Sequence, residues 1–276
     1  GINIALDMLF VAILKLGVGS AAVATTISQG VSTLLCCIRL MRVKEPYQLK
    51  LREIRFDFTA LKNIIRFGLP SGIQNSVIGI ANLVVQTNIN SFGKAAMAGC
   101  GSYSKLEGFA FLPVTCFTQA LSTFVGQNLG KNQVARAKQG VRTCATLAIC
   151  STLILMVPVM IFAEPIVAFF NSKSEVVQYG SLLLRWMTPF YMLCCFNQVY
   201  SGALRGAGDS KAPMIIMLGS FVAFRQLYLF VMSQICNEII PIAMSYPAGW
   251  LLCSIITGIY YHKVSLEKTR LVDDKE

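Results

Sequence analysis

Apolar runs alternate with short polar breaks along the whole of this 276-residue chain. Residues 18–40, 64–90, 108–129, 144–162, 181–204, 212–236 and 239–261 each come close to or exceed the ~20 residues a helix needs to cross a hydrocarbon core. A shorter run, 2–14, opens the chain. Lipid offers a backbone no hydrogen-bond partners, so each run predicts a membrane-spanning helix whose polar groups are satisfied internally. The expected fold is all-α: a polytopic membrane helix bundle of about eight transmembrane helices.

Polar breaks divide this plan. Residues 1–40 form a helix pair, 41–62 a polar linker, 63–265 a block of six helices, and 266–276 a charged tail. Glu45-Pro46 stops any helix continuing from the pair. The chain begins at Gly1, and its first run is short with no basic stretch before it, unlike a signal peptide. It reads as a helix that begins upstream. A six-helix block behind a linker suggests a six-plus-six transporter built from parallel repeats. The expected partners are then the missing N-lobe helices of the same protein and the lipid bilayer, with a monomer as the unit.

Composition agrees, with 55% hydrophobic and 13% charged residues and a mean hydropathy of +0.61. The net charge of +11 raises the question of nucleic acid, but its distribution answers otherwise. Arg39, Arg42, Lys44, Lys50, Arg52, Arg55, Lys62 and Arg66 crowd one connection, and Lys131, Arg136, Lys138 and Arg142 another. The connections between carry few cations. Such alternation follows the positive-inside rule. It places the 39–66 linker, the 129–143 loop, the 205–211 turn and both chain ends in the cytoplasm of a cell (inner) membrane protein. No nucleic-acid partner is expected.

Catalytic chemistry finds no footing. His262 is the only histidine and ends the last helix, so no nucleophile–histidine triad can form. There is no Walker-type phosphate loop. The ten cysteines, Cys36-Cys37 and Cys194-Cys195 among them, lie mostly in apolar runs and lack zinc-ligand spacing. The expectation is no enzyme, no catalytic residue, no metal and no cofactor.

Polar side chains inside the spans are therefore the candidates for function, because they are costly there and tend to face a bundle interior or a hydrated cavity. Ser71, Asn75, Asn82, Gln86 and Asn90 recur at helical spacing on one face of the third helix. Two readings fit: interhelical glue, or a wall of a substrate cavity. On the fourth helix Glu107, Phe111, Thr115, Thr118 and Ser122 form a second stripe, and Glu107 is a candidate proton carrier or cation counter-charge; its other reading is that Glu107 and Lys105, which face different ways, both sit near the outer interface and snorkel. On the sixth, Tyr191, Gln198, Gly202 and Arg205 share a face, Tyr191 serving either cation stacking or the core, and Pro189 bends the helix. Arg225, in the seventh, pairs with Glu107 or with backbone carbonyls. Asp7 pairs with a neighbour outside the chain.

Several stretches resemble the multidrug and toxin extrusion (MATE) family. Val18 to Gln29 is similar to its sixth helix, Gly68-Leu69-Pro70-Ser71 to the start of its seventh, and Gly126-Gln127-Asn128-Leu129-Gly130 to the end of its eighth. Gly202-Ala203-Leu204-Arg205-Gly206-Ala207-Gly208-Asp209-Ser210 is similar to the turn after its tenth helix, and Tyr246-Pro247-Ala248-Gly249-Trp250 to its twelfth. The resemblance covers nearly the whole chain as helices five to twelve of twelve. It implies a secondary active antiporter that exports cationic or amphipathic small molecules in exchange for H+ or Na+ by rocking of two lobes. Gly202, Arg205, Gly206, Gly208 and Asp209 then form a structural gate motif, with Asp209 or Ser210 capping the helix that starts at Lys211. Acids that other branches carry in the seventh and tenth helices are replaced here by Ile78 and Cys194, which leaves the coupling ion open and places the chain nearest the DinF-like bacterial branch. A lipid-linked precursor flippase of the same superfamily is the alternative, and a membrane-embedded lipid-modifying enzyme a remote one.

Overall fold

The computed structural model describes residues 1–17, 19–44, 48–236 and 238–264. The Glu45-Pro46 break and the 266–276 tail lie outside these residues. Among them the secondary structure is helical throughout. Five helices have the length and hydropathy to cross a membrane: Gly19–Arg42, Lys94–Gly130, Val134–Ile161, Lys211–Ile235 and Ile239–Lys263. Contacts divide the chain into two compact units, Gly1–Leu61 and Lys62–Glu276.

In the first unit, α1 (Ile2–Asp7) runs into a π-helical turn, Met8–Ile13, and α2 spans Gly19–Arg42. The connection turns at Gly17, whose φ of 81° is left-handed backbone that glycine adopts without strain. The Ser20 hydroxyl closes it by donating to the Gly17 carbonyl at 2.7 Å. The Asn3 amide donates to Thr25 Oγ1 at 3.3 Å. Asp7 has one buried carboxylate oxygen with no partner among the described residues.

The helix α3, Phe58–Asn90, begins where Asp57 Oδ1 accepts the backbone N–H groups of Thr59 and Ala60, at 2.8 and 3.1 Å. That is an N-cap. Within the second unit Gln74, Ala81, Val85 and Ile89 form its buried face, while Ile73, Ile80, Leu83 and Val84 stand exposed. The amide stripe runs along the edge of the buried face. Asn82, Gln86 and Asn90 find partners along it, while Asn75 and Asn82 are both exposed.

At the centre stands α4, Lys94–Gly130, whose 37 residues extend about 55 Å at the helical rise. It packs against α5 (Val134–Ile161), α7 (Ser174–Met187) and α8 (Tyr191–Gly206), with the short α6 (Ala163–Phe170) against α7. The α4–α5 turn is a Schellman closure: Gln133 N–H donates to the Asn128 carbonyl and Asn132 N–H to that of Leu129, with Asn132 at φ 59°. One expected span, 181–204, is broken in two by a 3-10 turn at Thr188–Phe190, where Pro189 removes a backbone donor.

The last span pair closes the bundle. Helix α9 (Lys211–Leu218) passes through a π-helical turn, Gly219–Phe224, into α10 (Arg225–Ile235). Helix α11 (Ile239–Ala243) leads into α12 (Ser245–Lys263), which packs on α8. The α8–α9 turn repeats the Schellman pattern: Asp209 N–H donates to the Leu204 carbonyl and Gly208 N–H to that of Arg205, with Gly208 at φ 93°. Asp209 then holds the turn from both sides. Its Oδ1 accepts Ala212 N–H at 3.0 Å and its Oδ2 accepts the Tyr260 hydroxyl of α12 at 2.7 Å. The expected capping role of Asp209 is present, and Tyr260 adds a tie to α12.

Candidate functional site

Glu107 and Tyr103 lie one turn apart on α4, so their side chains share a face. The Tyr103 hydroxyl donates to Glu107 Oε1 at 3.1 Å and lies 2.7 Å from the Tyr191 hydroxyl. Tyr191 is the first residue of α8, delivered against α4 by the turn at Pro189. It is 2% exposed. Its ring meets Phe111 edge-on with centroids 5.2 Å apart and lies 5.5 Å from Trp250. Two helices, α4 and α8, therefore bring together one carboxylate and two phenols inside a bundle where such groups are rare.

Beside this group is a cavity of about 20 Å³, lined by Gln86, Cys100, Tyr103, Ser104, Glu107 and Tyr246 among others. That is the size of a single water molecule, too small for an organic cargo. Gln86 reaches it from α3. Its Nε2 donates to Asn90 Oδ1 at 2.8 Å, and its Oε1 accepts the Cys100 thiol at 3.5 Å.

The arginine expected to answer Glu107 does not do so. Arg225 is 2% exposed; its Nη2 donates to Asn82 Oδ1 at 2.8 Å, and its guanidinium lies over the Tyr246 ring, 4.9 Å from the centroid, with Phe221 at 5.9 Å. An aromatic face is a favourable setting for a desolvated cation. Tyr246 borders both the arginine and the Glu107 cavity, so the pairing is replaced by two neighbouring sites with an aromatic wall in common. Lys105 points to a different face from Glu107, as a spacing of two residues predicts, and lies 5.7 Å over the Phe170 ring.

Of the candidates read from the sequence, Gln86, Glu107 and Tyr191 meet in one place, and Asn82 with Arg225 adjoins them. Ser71 is half-buried, Asn75 exposed and Gln198 half-buried, and none of the three lines the cavity. Gln74, one position from Asn75, is the buried amide of that turn and donates to Met217 Sδ. Tyr103 and Tyr246 were not among the candidates. Tyr103 stands four residues before Glu107, a helical spacing the sequence displays. Also unforeseen is Asn197, 1% exposed, with neither amide atom partnered among the described residues. Among the described residues no three His, Cys, Asp or Glu side chains come together as a metal site.

Gly202 and Gly206 form the closest helix contact in this region. A Cβ at Gly206 would overlap the Ser122 carbonyl of α4, and one at Gly202 the Thr118 side chain. Small residues four apart let membrane helices approach this closely.

With this geometry in place, comparison with known proteins is informative. The MatE family matches residues 70–231, more than half of the chain, and the match contains Glu107, Tyr103, Tyr191 and Arg225. The chain belongs to the MatE family. These are membrane transporters, not enzymes. The MatE chain is 25% identical over 275 residues to the probable multidrug resistance protein YpnP of Bacillus subtilis, covering 99% of this chain and 61% of that protein. It is 26% identical over 250 residues to the FAD transporter of Shewanella oneidensis, covering 90% and 54%. In structure it is similar to a multidrug resistance MATE family transporter of the MOP superfamily in an outward-facing conformation, with a TM-score of 0.87 at 22% identity over 98% of this chain and 60% of that one. At that identity the likeness shows the fold. The MatE chain thus spans about 60% of the length of the first of these relatives.

Proposed function

We propose that this MatE chain is the larger part of a secondary active efflux antiporter, exporting cationic or amphipathic small molecules in exchange for H+ or Na+ as two helical lobes rock about a central cavity. On this reading the chain supplies helices five to twelve, its partners are further helices of the same protein and the bilayer, it acts as a monomer in the cell (inner) membrane, and both its ends face the cytoplasm. The loop charges support that orientation. The observation that carries the reading is Glu107, the carboxylate bonded to Tyr103, which in turn meets Tyr191, beside a cavity of water size. Such a group can take up a proton or hold a small cation without a cargo entering the same space. Uptake changes the charge between α4 and α8, where Tyr191 begins the helix that packs on α4, and coupling needs such a link between ion and helix position.

Efflux of a fluorescent cation such as ethidium from cells tests it. Glu107→Gln keeps the shape and removes the titratable charge, and is expected to slow efflux by about tenfold or more, the loss that ~1.4 kcal/mol of coupling represents. Tyr103→Phe is expected to slow it less. Wild-type efflux by Glu107→Gln, at matched expression, overturns the reading. Because one relative is an FAD transporter, FAD export is measured in parallel: FAD export without dye export replaces the cationic cargo with an anionic one.

A further inference from the structure

A second cavity lies far from Glu107 along α4, in a groove of about 440 Å³ between α4 and α5. That is within the ~300–1,000 Å³ of small-ligand sites. Its floor is apolar: Phe117, Ala120, Leu121, Phe124, Cys144 and Leu147. One end is polar, with Arg136, Gln139 and Thr143. The groove occupies a different face of α4 from Thr118, Ser122 and Val125, the side chains on the α8 side. It therefore opens on the outside of this helix group.

Its shape is built into the sequence. Gly140 has no Cβ, and one placed there would overlap the Phe124 ring; the ring lies down against α5 and forms a wall. Arg136 lies 5.8 Å over that same ring, so its charge is held at the groove mouth. From residue 136 to residue 147 the groove follows α5 for about 16 Å at the helical rise. The charge around it has one sign. Arg136 is the charged residue of the lining, and no Asp or Glu occurs between residues 108 and 163.

We propose that this groove holds one anionic glycerophospholipid, its phosphate at Arg136 and an acyl chain along Phe117, Ala120 and Leu147. An apolar trough on the flank of a membrane helix pair meets hydrocarbon, and a cationic mouth at its end meets the headgroup layer. Basic pockets between membrane helices select anionic headgroups in this way. The ligand is thus a bilayer phospholipid, and the site is independent of the Glu107 chemistry.

The protein in nanodiscs of phosphatidylcholine containing a minority of phosphatidylglycerol is released into detergent, and retained lipid is counted by native mass spectrometry. One retained phosphatidylglycerol is expected. Arg136→Gln, an exposed change, is expected to lower its retention about fivefold, the effect of one basic side chain near a headgroup. Ala120→Trp fills the trough and is expected to abolish retention of that phosphatidylglycerol. Arg142→Gln, outside the lining, is expected to leave retention unchanged. Equal retention in wild type and Arg136→Gln overturns the proposal. So does an equal loss in Arg142→Gln, which would mean diffuse attraction. If Ala120→Trp lowers the melting temperature, the Arg136 and Arg142 pair decides alone.

Discussion

Glu107 holds its position at a cost, because a carboxylate drawn partly out of water loses hydration unless hydrogen bonds replace it. The Tyr103 hydroxyl and a cavity of water size answer part of that cost, whereas Arg225 is occupied by Asn82 and Tyr246. Asn197 shows the opposite situation. Its amide is buried in α8 with neither atom partnered among the described residues, and Ser201, one turn on, is buried with its hydroxyl also unpartnered. A buried amide without partners costs about 1–3 kcal/mol. Asn197→Leu is therefore expected to raise unfolding stability by about 1 kcal/mol, read as a higher melting temperature in detergent. An unchanged or lowered value would mean that the amide is satisfied in the membrane. Residue identities were partly legible. The helical period placed Asn82 and Gln86 on one edge, and both have partners in the bundle. It did not distinguish Asn75, because two turns nearer the helix start Gln74 takes the buried position instead.

Helix ends and helix contacts follow different physics from the spans themselves. Hydropathy sees only the slice of a helix inside hydrocarbon. It therefore placed the α4 run at 108–129, while polar residues carry the helix back to Lys94. That hidden stretch contains Tyr103 and most of the polar lining of the Glu107 cavity. The break at Thr188–Phe190 was visible in Pro189, but its consequence was not: the contact between Tyr103 and Tyr191 joins residues 88 apart in sequence, a separation no local pattern reports. The α8–α9 turn was legible as a structural motif because its chemistry is local. Gly208 supplies left-handed backbone and Asp209 supplies the cap. Gly206 acts across helices. Gly206→Ala is expected to cost about 1–3 kcal/mol by overpacking against Ser122. Gly130→Ala, where an added Cβ meets nothing within 4 Å, is expected to stay within about 0.5 kcal/mol. Denaturation of the two variants in one detergent compares them, and equal stabilities would contradict the close α4–α8 approach.

At the scale of the molecule, alternation of apolar runs and polar breaks was enough to foresee an all-helical membrane bundle, because lipid leaves a spanning backbone few alternatives. Besides the span broken at Thr188–Phe190, the third helix departs from the simple measure. Its amides lower the mean hydropathy, so α3 is long but does not rank among the five clearest spans. The departure marks the place where polar side chains line a seam with α4 and α10. On the proposed function, Glu107 would be the link to transport: one ionisable group, held by two helices that pack together, would convert ion occupancy into a preference for one helix arrangement. That proposal requires cargo and ion to compete through the lobe as a whole. The most direct test is ion release on cargo binding, followed with a pH indicator and a sodium-selective electrode on the purified protein in weakly buffered detergent. Adding a cationic cargo is expected to release about one H+ or Na+ per protein from wild type and none from Glu107→Gln. Equal release from both, or cargo binding to wild type with no release of either ion, would contradict the account.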